Sequence, residues 1–153
     1  MDLTTPHVII AGYGIGGRYI AECLNKSGIP FVLVEKNPET VRAQCELGIE
    51  AIEGDISDPD ILRRAGIERA TILALAIPDE QAALRAAEEA DRIRPEVHII
   101  AATQYTSTGL KALQVGADEV IVAEQAVAHE FHKRIQAFLD KSSAVQSASQ
   151  ADR

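Results

Sequence analysis

Glycines 12, 14 and 17 of the segment Gly12-Tyr13-Gly14-Ile15-Gly16-Gly17 stand at the spacing GxGxxG. That spacing carries chemistry only where the segment closes a strand and opens a helix, and this one does. His7-Val8-Ile9-Ile10-Ala11 reads as a buried strand, and Ile15 to Ser27 as a helix with Gly17, Ile20 and Leu24 on one face and Gly28 as its stop. Gly12 then allows a tight turn, Gly14 lets an anion approach the main chain, and Gly17 lets the helix settle on the strand. The free N–H groups at the helix start favour a phosphate.

Two carboxylates extend this reading. Glu35 ends a second apolar run, Phe31 to Glu35, 18 residues beyond Gly17. A carboxylate there accepts hydrogen bonds from both ribose hydroxyls of an adenosine and repels a 2′-phosphate, which disfavours NADP. Lys36 either softens that repulsion or points to solvent. Asp55, in Gly54-Asp55-Ile56-Ser57, ends a third run. It is placed to accept from an adenine amino group while the Ile56 main chain borders the base; the competing reading makes it a loop-capping carboxylate. Asp58 reads as a helix cap.

Other chemistries lack their residues. No GxxxxGK[ST] phosphate loop and no GxSxG nucleophile elbow occurs. His129-Glu130-Phe131-His132 sets its histidines three apart, where a zinc-binding HExxH needs four, so no metal is expected. The Tyr-x-x-x-Lys pair of short-chain dehydrogenases is absent, since Tyr19 is followed by Cys23 and Tyr105 by Gly109. Cys23 and Cys45 have no CxxC spacing and read as reduced, partly buried thiols.

The elements that must position these residues alternate along the chain. After the first two strands, Asn37-Pro38 starts a helix that ends at Gly48. Glu50 to Asp55 is a third strand, Asp58-Pro59 starts a short helix, and Thr71 to Ile77 is a fourth strand. A long Ala-rich helix from Asp79 to Arg94, a strand from Val97 to Ala101, a helix from Ser107 to Val115, and a strand from Asp118 to Val122 follow. The last helix covers about Glu124 to Asp140, and Lys141 to Arg153 reads as a polar, solvated, disordered tail. Continuous apolar strands separated by helices predict an α/β, Rossmann-like, doubly wound parallel six-stranded sheet in the order 3-2-1-4-5-6, one domain over residues 1–140.

Val127, Phe131, Ile135, Phe138 and Leu139 form an apolar stripe on the last, amphipathic helix. It serves either the core of its own subunit or, as the slightly preferred reading, the interface of a symmetric dimer. The net charge of −8, with neither half basic, removes the driving force for general nucleic-acid binding. Aromatic residues at 4% leave no stacking platform for single strands. The longest apolar runs are strand length, so the chain is not expected to enter a membrane itself.

With these motifs in place, the chain resembles the RCK or KTN nucleotide-binding domain, also called TrkA-N, over about His7 to Phe131. The likeness rests on Val8-Ile9-Ile10-Ala11-Gly12-Tyr13-Gly14, Val34-Glu35, Gly54-Asp55-Ile56-Ser57-Asp58-Pro59, His98-Ile99-Ile100-Ala101-Ala102-Thr103, Gly116-Ala117-Asp118-Glu119-Val120-Ile121 and the Glu124 region. The later block looks most like Kef-type potassium/proton antiporters. The resemblance implies a cytoplasmic, non-enzymatic regulatory domain of a potassium channel or antiporter. Its ligand would be AMP, ADP, ATP or NAD(H), and its occupancy would be relayed to a membrane partner. By position, Gly12, Gly14 and Gly17 would face phosphate, Glu35 the ribose, and Asp55 with Ile56 the adenine. Tyr13 and Ile15 would lie against the ligand through the loop main chain. The chain departs from the family where Ala102 and Gln104 replace common arginines and where Ile15 replaces an Arg frequent in Kef-like members. Fewer cations favour AMP or weakly held NAD(H) over ADP or ATP. Two other readings stay open: the cofactor half of an NAD-dependent oxidoreductase, with His98 and Tyr105 as the testable residues, and an assembly module that has lost its ligand.

Overall fold

The computed structural model describes residues 5–151. Six parallel strands form one sheet in the order β3-β2-β1-β4-β5-β6: β1 (Val8–Ala11), β2 (Phe31–Glu35), β3 (Ala51–Glu53), β4 (Ile72–Leu75), β5 (His98–Thr103) and β6 (Glu119–Val122). This is the expected doubly wound order; β2 has the expected bounds, β1, β3, β4 and β6 are shorter than the runs read for them, and β5 runs from His98 to Thr103 rather than from Val97 to Ala101. The helices between them are α1 (Ile15–Lys26), α2 (Pro38–Glu46), α3 (Pro59–Arg64), α4 (Glu80–Ile93), α5 (Thr106–Gln114) and the terminal α6 (Ala123–Ala151).

Strand alternation divides the apolar side chains between two faces. Ile9, Ala11, Val32, Val34, Leu73, Leu75, Ile99 and Ala101 join one buried cluster with Ile61 and Leu62 of α3 and the α4 alanines 83, 86, 87 and 90. Val8, Ile10 and Leu33 face the other way and pack on Ala21 of α1. Alanine at every buried α4 position lets that helix lie close to the strands. The α1 face is open toward β6: Ala74, Ile100 and Ala102 are only half-buried there, and Ile121 is 56% exposed.

Side-chain caps start α2 and α3 as the sequence predicts, and a third starts α4. Asn37 accepts from Glu39 N–H at 3.0 Å, Asp58 from Asp60 N–H at 2.9 Å, and Asp79 from Ala82 N–H at 3.0 Å.

The C-terminal reading differs. α6 does not end near Asp140 but continues to Ala151, through the segment expected to be a disordered tail; residues 152–153 lie outside the described residues. Ala and Gln are good helix formers, and the Ser142 and Ser147 hydroxyls donate to the main-chain carbonyls of Phe138 and Ser143, so this polar composition is compatible with helix. No α6 residue is buried, and Val127, Phe131, Ile135, Phe138 and Leu139 are all more than half exposed. The stripe therefore does not belong to the core of its own chain. The two cysteines also differ from expectation: Cys23 and Cys45 are exposed, and the Cys45 thiol lies 3.6 Å from the Ala51 carbonyl at the start of β3.

Candidate functional site

The β1–α1 connection is shaped by two contacts that only glycine permits. Gly12 has φ +92°, and a Cβ there would stand 2.6 Å from the Ala76 carbonyl oxygen on the neighbouring β4 segment. A Cβ at Gly17 would fall 1.9 Å from the Gly12 carbonyl oxygen, so α1 rests directly on the turn that precedes it. Gly14 is different, because a Cβ there would meet nothing within 4 Å. The protein does not fill that space, and Gly14 starts α1 without any side-chain cap.

Glu35, at the C-terminal end of β2, ties two loops together. Its Oε2 accepts the Tyr13 N–H at 2.8 Å and its Oε1 accepts the Asn37 N–H at 3.0 Å. A carboxylate has about four lone-pair sites, so capacity remains for hydroxyl donors. The sequence points to a ribose acceptor here; it does not reveal that the same group braces the glycine loop.

Lys36 is exposed, with 61% of its side chain open to solvent, and still forms an ion pair. Its Nζ lies 3.1 Å from Asp55 Oδ2, while Asp55 Oδ1 accepts both the Ser57 N–H at 2.9 Å and the Ser57 hydroxyl at 2.7 Å. Asp55 thus has the loop-capping role that competed with adenine recognition. Partial burial pushes its carboxyl up, but the Ser57 hydrogen bonds and the Lys36 ammonium together hold it below the usual carboxylate value.

These groups meet around a cleft of about 470 Å³ at the carboxyl ends of β1, β2, β3 and β4, a size ordinary for small-molecule sites. Gly12, Tyr13, Gly14, Glu35, Lys36, Asp55 and Ile56 line it. Gly17 lies beneath the turn rather than in the cleft, and Ile15, 95% exposed, lines an adjoining depression. Thr40, Ile77, Pro78, Asp79 and Ala82 also line the cleft and were not singled out from the sequence. In the sequence Asp79 reads only as the start of a helix; its signal is topological, since β4 pairs with β1 and the strand order reverses at that point.

His98 occupies the opposite end of the sheet. It begins β5 and contacts Glu119 Oε1 at 2.6 Å, so it cannot serve chemistry in this cleft, contrary to the expectation that it lies near the relevant strand ends. Tyr105 follows the correct end of β5 and is exposed. Among the described residues, no group of three His, Cys, Asp or Glu side chains forms a metal cage, and no helix is long and apolar enough to cross a membrane.

A glycine turn, a strand-end acid and a switch-point cleft on a 3-2-1-4-5-6 sheet define a Rossmann-type nucleotide-binding domain. The chain belongs to the TrkA-N domain family, whose model matches residues 8–123. It is 32% identical over 116 residues to the glutathione-regulated potassium-efflux system protein KefC of Cronobacter sakazakii, covering 76% of this chain and 19% of that protein. It is 32% identical over 117 residues to potassium channel protein 1 of Methanocaldococcus jannaschii, covering 75% and 35% respectively. The chain therefore spans a fifth to about a third of these relatives' lengths. Among solved structures, the TrkA-N domain of the Escherichia coli inner membrane protein YbaL superposes with a TM-score of 0.82 at 28% identity, over 87% of this chain and 98% of that one. The Shewanella denitrificans Kef C-terminal domain in its AMP-bound form gives 0.75 at 25% identity, over 91% and 84%.

Proposed function

We propose that this chain is a nucleotide-sensing regulatory domain of a potassium transport system, a channel or a potassium/proton antiporter, acting without catalysis at the cytoplasmic face. The observation that carries the reading is the convergence of Gly12, Gly14, Glu35, Asp55 and Ile56 on one cleft. Relatives named as potassium-efflux and potassium-channel proteins support the process, and the AMP-bound Kef domain supports the ligand class.

In this reading the phosphate lies on the Gly12–Gly14 turn and the start of α1, with Tyr13, Ile15 and Gly17 shaping that turn. Glu35 accepts the ribose hydroxyls and disfavours a 2′-phosphate. Ile56 borders the base, and Asp55, held in place by Lys36 and Ser57, accepts from the adenine amino group. Among the described residues, three carboxylates in the cleft, Glu35, Asp55 and Asp79, against the single ammonium of Lys36 favour AMP or NAD(H) over ADP or ATP. The exposed stripe on α6 supports a homodimer, in which a second copy covers it.

A ligand shifts such a domain only through its different affinity for two conformations. The direct test is titration calorimetry of AMP, ATP, NAD and NADH against the protein and Glu35→Ala. We expect AMP or NAD(H) to bind and Glu35→Ala to lose at least tenfold in affinity, about 1.4 kcal/mol. Absence of binding by every nucleotide would refute the proposal.

A further inference from the structure

The nucleotide cleft is short of positive charge, and its one lysine is committed to Asp55 at 3.1 Å. Ala102, Gln104 and Ile15 add none. A different cation lies close by. Arg18 stands in the first turns of α1, and helical side chains lean back toward the helix start, which carries this one over the glycine turn. Its guanidinium carbon sits 5.3 Å from the centroid of the Tyr13 ring.

Two further observations bear on its purpose. Arg18 is exposed and takes part in none of the ion pairs formed among the described residues. Even Glu22, one turn on and lining the same depression, does not pair with it. That depression also contains Tyr13 and Gly14, and these two residues line the nucleotide cleft as well. The depression that holds Arg18 and the cleft thus share the Tyr13–Gly14 segment of the glycine turn.

We propose that Arg18 is the phosphate-binding cation of this site, resting on the Tyr13 ring and moving to the ligand phosphate when the cleft fills. This rests on the nucleotide reading above. An exposed cation–π contact is a weak hold, whereas a guanidinium fork on a phosphate makes short, charge-assisted hydrogen bonds and can do so bidentately. Among the described residues, the side chain has no carboxylate partner to give up in that exchange. Arg18 thereby supplies, from α1, the charge absent at positions 102 and 104. Its effect is confined to the phosphate, since the ribose and base acceptors are at the ends of β2 and β3.

Calorimetric titration of adenosine and AMP against wild type, Arg18→Gln and Arg18→Lys tests this. Arg18→Gln should weaken AMP about tenfold and leave adenosine unchanged, while Arg18→Lys should recover part of the loss as a point charge. An unchanged AMP affinity in Arg18→Gln, or an equal loss for adenosine and AMP, overturns the assignment while wild-type binding leaves the nucleotide reading standing. A wild type that binds neither ligand removes both. The position is exposed, so a melting temperature without ligand equal to wild type will verify that the fold is retained.

Discussion

Glu35 and Asp55 show how one carboxylate can serve both structure and recognition. Glu35 braces the Tyr13 and Asn37 amides with separate oxygens, which fixes the glycine turn relative to the end of β2. Asp55 fixes its own loop through Ser57 and draws Lys36 across the cleft mouth. Because the folded chain holds the Asp55 carboxyl below its ordinary 3.8, its unfolded form binds the proton more readily. The stabilisation is then complete well above that value and is lost as pH falls through the depressed folded value. With both partners more than a third exposed, the contribution is at most about 1 kcal/mol. Asp55→Asn should lower stability by that amount in urea unfolding at pH 7, and the gap to wild type should close as pH drops below 3.8. A gap independent of pH would show that the carboxylate charge is not what stabilises the loop.

At the scale of the element, α6 is the helix whose sequence and surroundings disagree most. A 29-residue helix extends about 44 Å at the usual rise per residue, yet it buries nothing against its own subunit. Its phenylalanines at 131 and 138 are 66% and 70% exposed. An isolated helix of ordinary composition is marginal in water, and most helical stability comes from packing an apolar face. Ile121 on β6 and Leu110 on α5 are likewise more than half exposed. A second copy of the chain matches both needs. Analytical ultracentrifugation should find a dimer, and Phe131→Asp combined with Phe138→Asp should yield a monomer with reduced helical circular dichroism. A wild type that sediments as a monomer at micromolar concentration would exclude this pairing.

The whole molecule explains which of these features were legible in the sequence. Buried parallel strands must be continuous apolar runs, so the runs His7–Ala11, Phe31–Glu35 and Val97–Ala101 mark β1, β2 and β5 to within a residue or two, and right-handed crossovers then give their order. The glycine turn and Glu35 were readable because their requirements are local. Asp79 and Ile77 escaped because they reach the cleft only through the pairing of β4 with β1, 64 positions apart at Val8 and Ile72. His98 falls outside the cleft because it begins β5, whereas the site of a parallel sheet lies at the carboxyl ends of its strands. The length of α6 was hidden because Ser-, Ala- and Gln-rich sequence is compatible with helix or tail, and packing against a partner can decide between them.

A ligand in this cleft touches the ends of four strands and the starts of α1 and α4, so its effect on stability is a property of the entire fold. At 100 times its dissociation constant, a nucleotide that binds only the folded state adds about 2.7 kcal/mol. For a domain of this size that amounts to a rise of about 5–10 °C in melting temperature. AMP should produce that shift, and Glu35→Ala at the same concentration should produce less. A melting temperature indifferent to AMP, ADP, ATP and NAD alike would favour the remaining alternative, an assembly module that keeps the glycine turn for packing α1 rather than for phosphate. The 1.9 Å approach of a Gly17 Cβ to the Gly12 carbonyl shows that packing alone would suffice to retain two of the three glycines. Only Gly14, where an added Cβ would meet nothing within 4 Å, has no packing use in that alternative, so a nucleotide-dependent thermal shift is the result that gives this glycine a purpose.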